Sequence, residues 1–184
     1  MRYLFEKTDQ LAKKRQESMA SSISSKILEI RKESIKRSMG DLQTMRHRQH
    51  YVNTVNGAMY YDDSQAETVN ATWFTFENII NPVVWIVGGS MHNNYSELID
   101  TAKKNVKTII SLGREQENIE MTFRGVVDEI YEANSIGEAV AKAAEVAQEN
   151  DIVLFSPACR DQEMDYSMRG ETFAEEVNRI KNAN

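Results

Sequence analysis

Three apolar runs, Val83–Val87, Val106–Leu112 and Asp151–Phe155, stop at turn residues: Gly88-Gly89, Gly113 and Ser156-Pro157. Hydrophobicity that is continuous rather than alternating marks strands buried on both faces. The segments between them carry helical periodicity, over about Glu67–Ile79, Tyr95–Lys104 and Gln116–Phe123. A fourth strand is expected at Val127–Glu132. Ser135 then caps a helix over Ile136–Glu149, whose Ala139, Val140, Ala143, Ala144 and Ala147 form a small-residue face. A last helix is expected from about Glu171 to Lys181. Such alternation predicts an α/β fold, a mostly parallel sheet with helices on both faces. Ahead of it, Gln49–Asn56 and Ala58–Asp62 flank Asn56-Gly57, whose two residues suit the positive φ values of a type I′ hairpin.

Residues 1–40 read differently. They lack proline, their one glycine is Gly40, and Ile23, Ile27, Ile30 and Ile35 recur at helical spacing. The expected organisation is therefore a helical arm over 1–44 and a globular domain over 45–184. Charge follows the same division: residues 1–50 sum to +6 and residues 51–184 to −12. The isoleucine stripe is the expected interaction element, docking on a protein partner or on a second copy.

Composition excludes several classes. With 41% hydrophobic residues the chain can bury a core, and a net charge of −6 gives no case for nucleic-acid binding. One cysteine, Cys159, and three histidines rule out a disulfide framework and leave little for a metal centre. No apolar stretch reaches bilayer length, and Met1–Phe5 gives way at once to Glu6 and Lys7, unlike a signal peptide. The expectation is a cytoplasmic protein without a membrane span and without a cofactor.

In a parallel sheet, ligands bind beyond the strand C-termini. That edge carries Asp63, Ser64, Gly88, Gly89, His92, Ser156 and Asp161, the candidate ligand-binding residues. No glycine is followed by lysine, so these residues hold no Walker A loop, and G-x-G-x-x-G is absent. No nucleophile–base arrangement stands out, so no catalytic residue is assigned.

The strings Asn70-Ala71-Thr72-Trp73, Pro82–Gly89, Asn94–Leu98 and Ser156–Cys159 with Arg169-Gly170 together carry more information than any one motif. In combination they resemble the Mur ligases, above all the D-glutamate-adding branch in versions from Bacteroidetes-type bacteria. The resemblance extends over roughly residues 15–181. It implies a Rossmann-like C-terminal domain, entered at His47-Arg48, preceded by the last helices of a central ATPase domain.

Several loops depart from the family pattern. Where the family has Asn-Asp-Ser-Lys-Ala-Thr-Asn, this chain has Asp62-Asp63-Ser64-Gln65-Ala66-Glu67-Thr68. The family's lysine after the double glycine, which helps to hold the incoming amino acid, is missing from Ser90-Met91-His92-Asn93. Its serine near the D-glutamate carboxylate has become Asp161. An intact scaffold with altered loops implies a non-catalytic scaffold or regulatory relative, linked to peptidoglycan synthesis. The alternatives are a sensor of a nucleotide, amino acid or muramoyl precursor, and one part of a ligase working with a separate P-loop partner.

Overall fold

The structure, a computed structural model, describes residues 46–90 and 92–183 together with 25, 26, 29 and 30. The chain divides into two units, Met1–Asp41 and Leu42–Asn184. In the first, the four described residues are helical and exposed, Ile30 at 66%. Ile23, Ile27 and Ile35 lie outside the described residues.

Six strands build the second unit: β1 (His50–Val55), β2 (Ala58–Asp62), β3 (Val83–Gly89), β4 (Val106–Gly113), β5 (Glu129–Ala133) and β6 (Ile152–Phe155). They lie in the order β1-β2-β6-β3-β4-β5, and only β1 and β2 pair antiparallel. Among the described residues of this unit five α-helices accompany them: α1 (Val69–Phe76), α2 (Ile99–Asn105), α3 (Gln116–Phe123), α4 (Ile136–Val146) and α5 (Tyr166–Ala183). This is the mostly parallel α/β sheet expected from the apolar runs.

Alternate residues of the central strands serve opposite faces. Val84, Ile86, Val153 and Phe155 pack with Ala139, Val140 and Ala143 of α4 and with Phe173 and Val177 of α5. Trp85 meets Phe76 of α1 at 5.0 Å and Phe123 of α3 at 5.4 Å, both edge-on, the arrangement that ring quadrupoles favour. Its indole N–H donates to Ser156 O at 2.7 Å, so the largest fully buried side chain among the described residues is also polar-satisfied. The hairpin turn has φ of 50° at Asn56 and 84° at Gly57, as a type I′ turn requires.

Several boundaries differ from expectation. α1 is shorter than Glu67–Ile79 because Thr68 caps it, its hydroxyl accepting from Ala71 N–H at 3.2 Å. The segment from Tyr95 starts as a 3₁₀ turn, Tyr95–Leu98, before α2. β5 begins at Glu129, where its pairing with Thr108 of β4 begins. α4 ends at Val146 because Ala147 is extended. α5 starts five residues before the expected Glu171, with Asp165 Oδ1 accepting from Met168 N–H at 2.9 Å.

Candidate functional site

From β3 the chain steps outward to β4 and β5, then returns to lay β6 on the other side of β3. The connections leaving β3 and β6 therefore diverge, and open α/β sheets form their ligand crevice at such a point. Gly88 N–H donates to Pro157 O across this point at 3.0 Å. Next to it opens a cleft of about 470 Å³, walled by the ends of β3 and β4, the first turn of α4 and one side of α5. That volume is in the range of small-molecule sites.

Where β2 and β6 end lies a closed polar network centred on Asp63, which is wholly buried. Arg48 Nη1 donates to its Oδ1 at 2.7 Å, and Gln49 N–H to the same oxygen at 3.2 Å. Thr75 and Ser156 hydroxyls donate to Oδ2 at 2.7 and 2.8 Å. With the Ser156 proton so used, Thr72 Oγ1 donates to Ser156 Oγ at 2.8 Å. Arg48 Nη2 donates to Ala71 O at 3.0 Å and so ties the network to α1. Burial pushes the Asp63 carboxyl up to about 6, against Arg48 and the three hydrogen-bond donors, which favour its charged form. Asp63 and Ser156 thus bind the loop after β2 to the loop after β6.

A second knot fastens α5 to the same edge. His47 Nδ1 lies 2.6 Å from Asp62 Oδ2, while Asp62 Oδ1 accepts from Ser64 N–H at 2.9 Å. Ser64 Oγ donates to Tyr166 O at 2.8 Å. Arg169, 3% exposed, donates to Glu67 Oε1 at 3.2 Å, Cys159 O at 3.3 Å and Ser64 O at 3.4 Å. The negative charge of Glu67 is therefore matched within the fold, with the exposed Arg160 a further 3.7 Å contact. Glu67 does not confront a ligand as a bare anion.

The third knot holds the loop after β3. Glu115, nearly buried, accepts from Asn93 N–H at 3.2 Å and from Asn118 Nδ2 at 2.8 Å. Asn93 Nδ2 donates to Ala158 O at 2.6 Å. His92 is 79% exposed on the outer rim, 3.4 Å from Glu115. Cys159 is buried, and burial pushes its thiol up to about 11, so it is poorly suited to act as a nucleophile.

The candidate residues thus fall into three places. Gly88, Gly89 and Asp161 line the cleft. Asp63, Ser64 and Ser156 are buried and do not line it, engaged in hydrogen bonds of their own. His92 stands apart on the rim. Sequence reasoning did not single out Glu115 or Thr75, because no local pattern marks a polar residue whose partners lie in other loops, and it met Thr72 only within a matched string. For Arg169 and Gly170 the signal was present in a matched string, without a structural role.

Comparison with known proteins adds a lineage. Residues 47–159 match the family described as Mur ligase, glutamate ligase domain. The chain is 38% identical over 165 residues to the UDP-N-acetylmuramoylalanine–D-glutamate ligase of Christiangramia forsetii, and 33% over 159 residues to that of Salinibacter ruber. These alignments take in 88% and 85% of this chain but 37% and 35% of the relatives. The chain spans about a third of the length of the curated relatives it matches. Among solved structures, a murein peptide ligase from Psychrobacter arcticus superposes with a TM-score of 0.53 at 14% identity, over 75% of this chain and 30% of that one. MurF ligase from Thermotoga maritima in complex with ADP gives 0.51 at 16%, over 80% and 37%. Both are similar in fold.

One expectation is overturned here. The altered loops pointed to a chain that is not an enzyme, yet the proteins aligned with most of its length are named as D-glutamate ligases. Glu67, one of the altered loop positions, is neutralised within the fold by Arg169.

Proposed function

This chain belongs to the Mur ligase family, through its glutamate ligase domain, and from that premise we propose that it supplies the amino-acid-receiving domain of an ATP-dependent ligase in peptidoglycan synthesis. The observation that carries the reading is the alignment of most of the chain with D-glutamate ligases. The cleft at the switch point of the same domain supports it. In this reading the cleft orients the incoming amino acid, and the Asp63, Arg169 and Glu115 knots hold its walls still. Pre-organised walls let binding energy go into orientation rather than into ordering the site. None of the eight glycines is followed by lysine, so the ATP phosphates are gripped by residues outside this sequence or by a partner domain.

The test is a chimera in which the aligned 165 residues replace their counterpart in the Christiangramia forsetii ligase. ATP-dependent addition of an amino acid to UDP-N-acetylmuramoyl-alanine is the expected outcome, measured across a panel of D- and L-amino acids. A folded chimera that forms no product with any of them would overturn the proposal.

A further inference from the structure

The charged groups around the cleft bear on which amino acid it takes. Three carboxylates, Asp161, Glu163 and Glu176, share its lining with two guanidiniums, Arg114 and Arg169, and with no lysine. Arg169 is committed to Glu67 and to two backbone carbonyls. Arg114 is 77% exposed and 3.7 Å from Glu163, a loose pair at the mouth. The first turn of α4 would attract an anion, but Glu176 already lies there. Its carboxyl carbon is 3.3 Å from where a Gly137 Cβ would stand. Asp161 is held in place, its Oδ1 accepting from Glu163 N–H at 2.8 Å and from Met164 N–H at 3.2 Å. No basic side chain pairs with it among the described residues. Glu163 and Glu176 are paired with Arg114 and Arg179, so a ligand with a second carboxylate finds one exposed, shared guanidinium and, in Asp161, one fixed carboxylate without a basic partner among the described residues.

We propose that this cleft selects an amino acid without a side-chain carboxylate and rejects a dicarboxylate such as D-glutamate, with Asp161 as the specificity-determining residue. The inference rests on the amino-acid reading of the site, and it separates this chain from what its relatives' names state. Discrimination arises from like-charge repulsion in a partly screened cleft, where one close contact is enough for about a tenfold difference in affinity.

The experiment uses the whole 184-residue chain, labelled with ¹⁵N and titrated with D-glutamate and with its neutral isostere D-glutamine. The amides of Gly89, Gly113 and Gly137 report on the cleft. D-Glutamine is expected to half-saturate at a concentration at least about tenfold below D-glutamate. Asp161→Asn, which keeps the Oδ1 acceptor, is expected to narrow that ratio to under about threefold. Equal affinity for the two ligands, or a ratio unmoved by Asp161→Asn, would overturn the selectivity while leaving the amino-acid reading standing. A well-dispersed spectrum in which neither ligand shifts a cleft amide would overturn the amino-acid reading, and the selectivity with it.

Discussion

Asp63 shows how one buried carboxylate can organise an edge without being open to solvent. Both oxygens accept two hydrogen bonds each, so the charged form is satisfied, yet burial still raises its pKa from 3.8 to about 6. The consequence for stability has a definite sign. Between those two values the folded chain keeps a proton that the unfolded chain has lost, so this group's contribution is full below pH 3.8 and is lost as pH rises through about 6. Urea titrations of the native chain and of Asp63→Asn across that window should show the native chain losing stability relative to the variant as pH rises. A difference independent of pH would show that Asp63 ionises in the fold as it does in water. The glycines at this edge also have an internal explanation. A Cβ on Gly88 would stand 2.4 Å from Leu112 O, one on Gly113 2.7 Å from Gly89 O, and one on Gly89 2.9 Å from Cys159 Sγ. Close packing of β3 on β4 and on the loop after β6 requires them, before any ligand is considered.

At the scale of elements, α5 is the clearest case of tertiary packing overriding a local signal. Glycine inside a helix is unfavourable by about 1 kcal/mol relative to alanine, yet Gly170 lies within α5. In the fold a Cβ at Gly170 would lie 2.3 Å from His47 Nδ1 and 2.5 Å from both Asp62 Oδ2 and Ser64 Oγ. Those three atoms belong to one hydrogen-bonded knot and cannot all withdraw without breaking it. Gly170→Ala is therefore expected to destabilise by about 1–3 kcal/mol, the range for overpacking, instead of gaining the usual helix preference. Chemical denaturation settles the sign. The hairpin is the opposite case: Asn56-Gly57 declares its turn locally, because positive φ at two successive residues is a backbone requirement that few side chains tolerate. Helix ends were less legible, since Thr68 and Asp165 act as caps through a geometry that neither composition nor periodicity displays.

For the molecule as a whole, the consequential feature is the late strand. β6 pairs with β2 through Met59↔Ile152 to Asp62↔Phe155 and with β3 through Val83↔Ile152 to Ile86↔Phe155. Most of the sheet is thus in place in the sequence before the strand that joins its two parts has been reached. A chain ending at Asn150 leaves β2 and β3 with unpaired edges and Trp85 without its Ser156 acceptor. Such a chain should lose the near-ultraviolet circular dichroism of its buried aromatics and any cooperative thermal transition. A sharp transition retained in it would show that the hairpin and β3–β5 hold together without β6. Contacts this distant in sequence also make folding slow, since loop closure must precede their reward.

By itself the sequence determined the class of fold and where its strands run, because continuous apolar runs and the Asn56-Gly57 turn act through local sterics and burial. It also located the edge at which ligands meet such a sheet, since strand direction follows from strand–helix alternation. Tertiary structure alone decided what stands at that edge. It turned Asp63, Ser64 and Ser156 inward, paired Glu67 with Arg169, set Glu176 over the first turn of α4 and left Asp161 facing the cleft. The reason is that a charge acquires its meaning from neighbours brought together across the chain, and its spacing in sequence carries none of that.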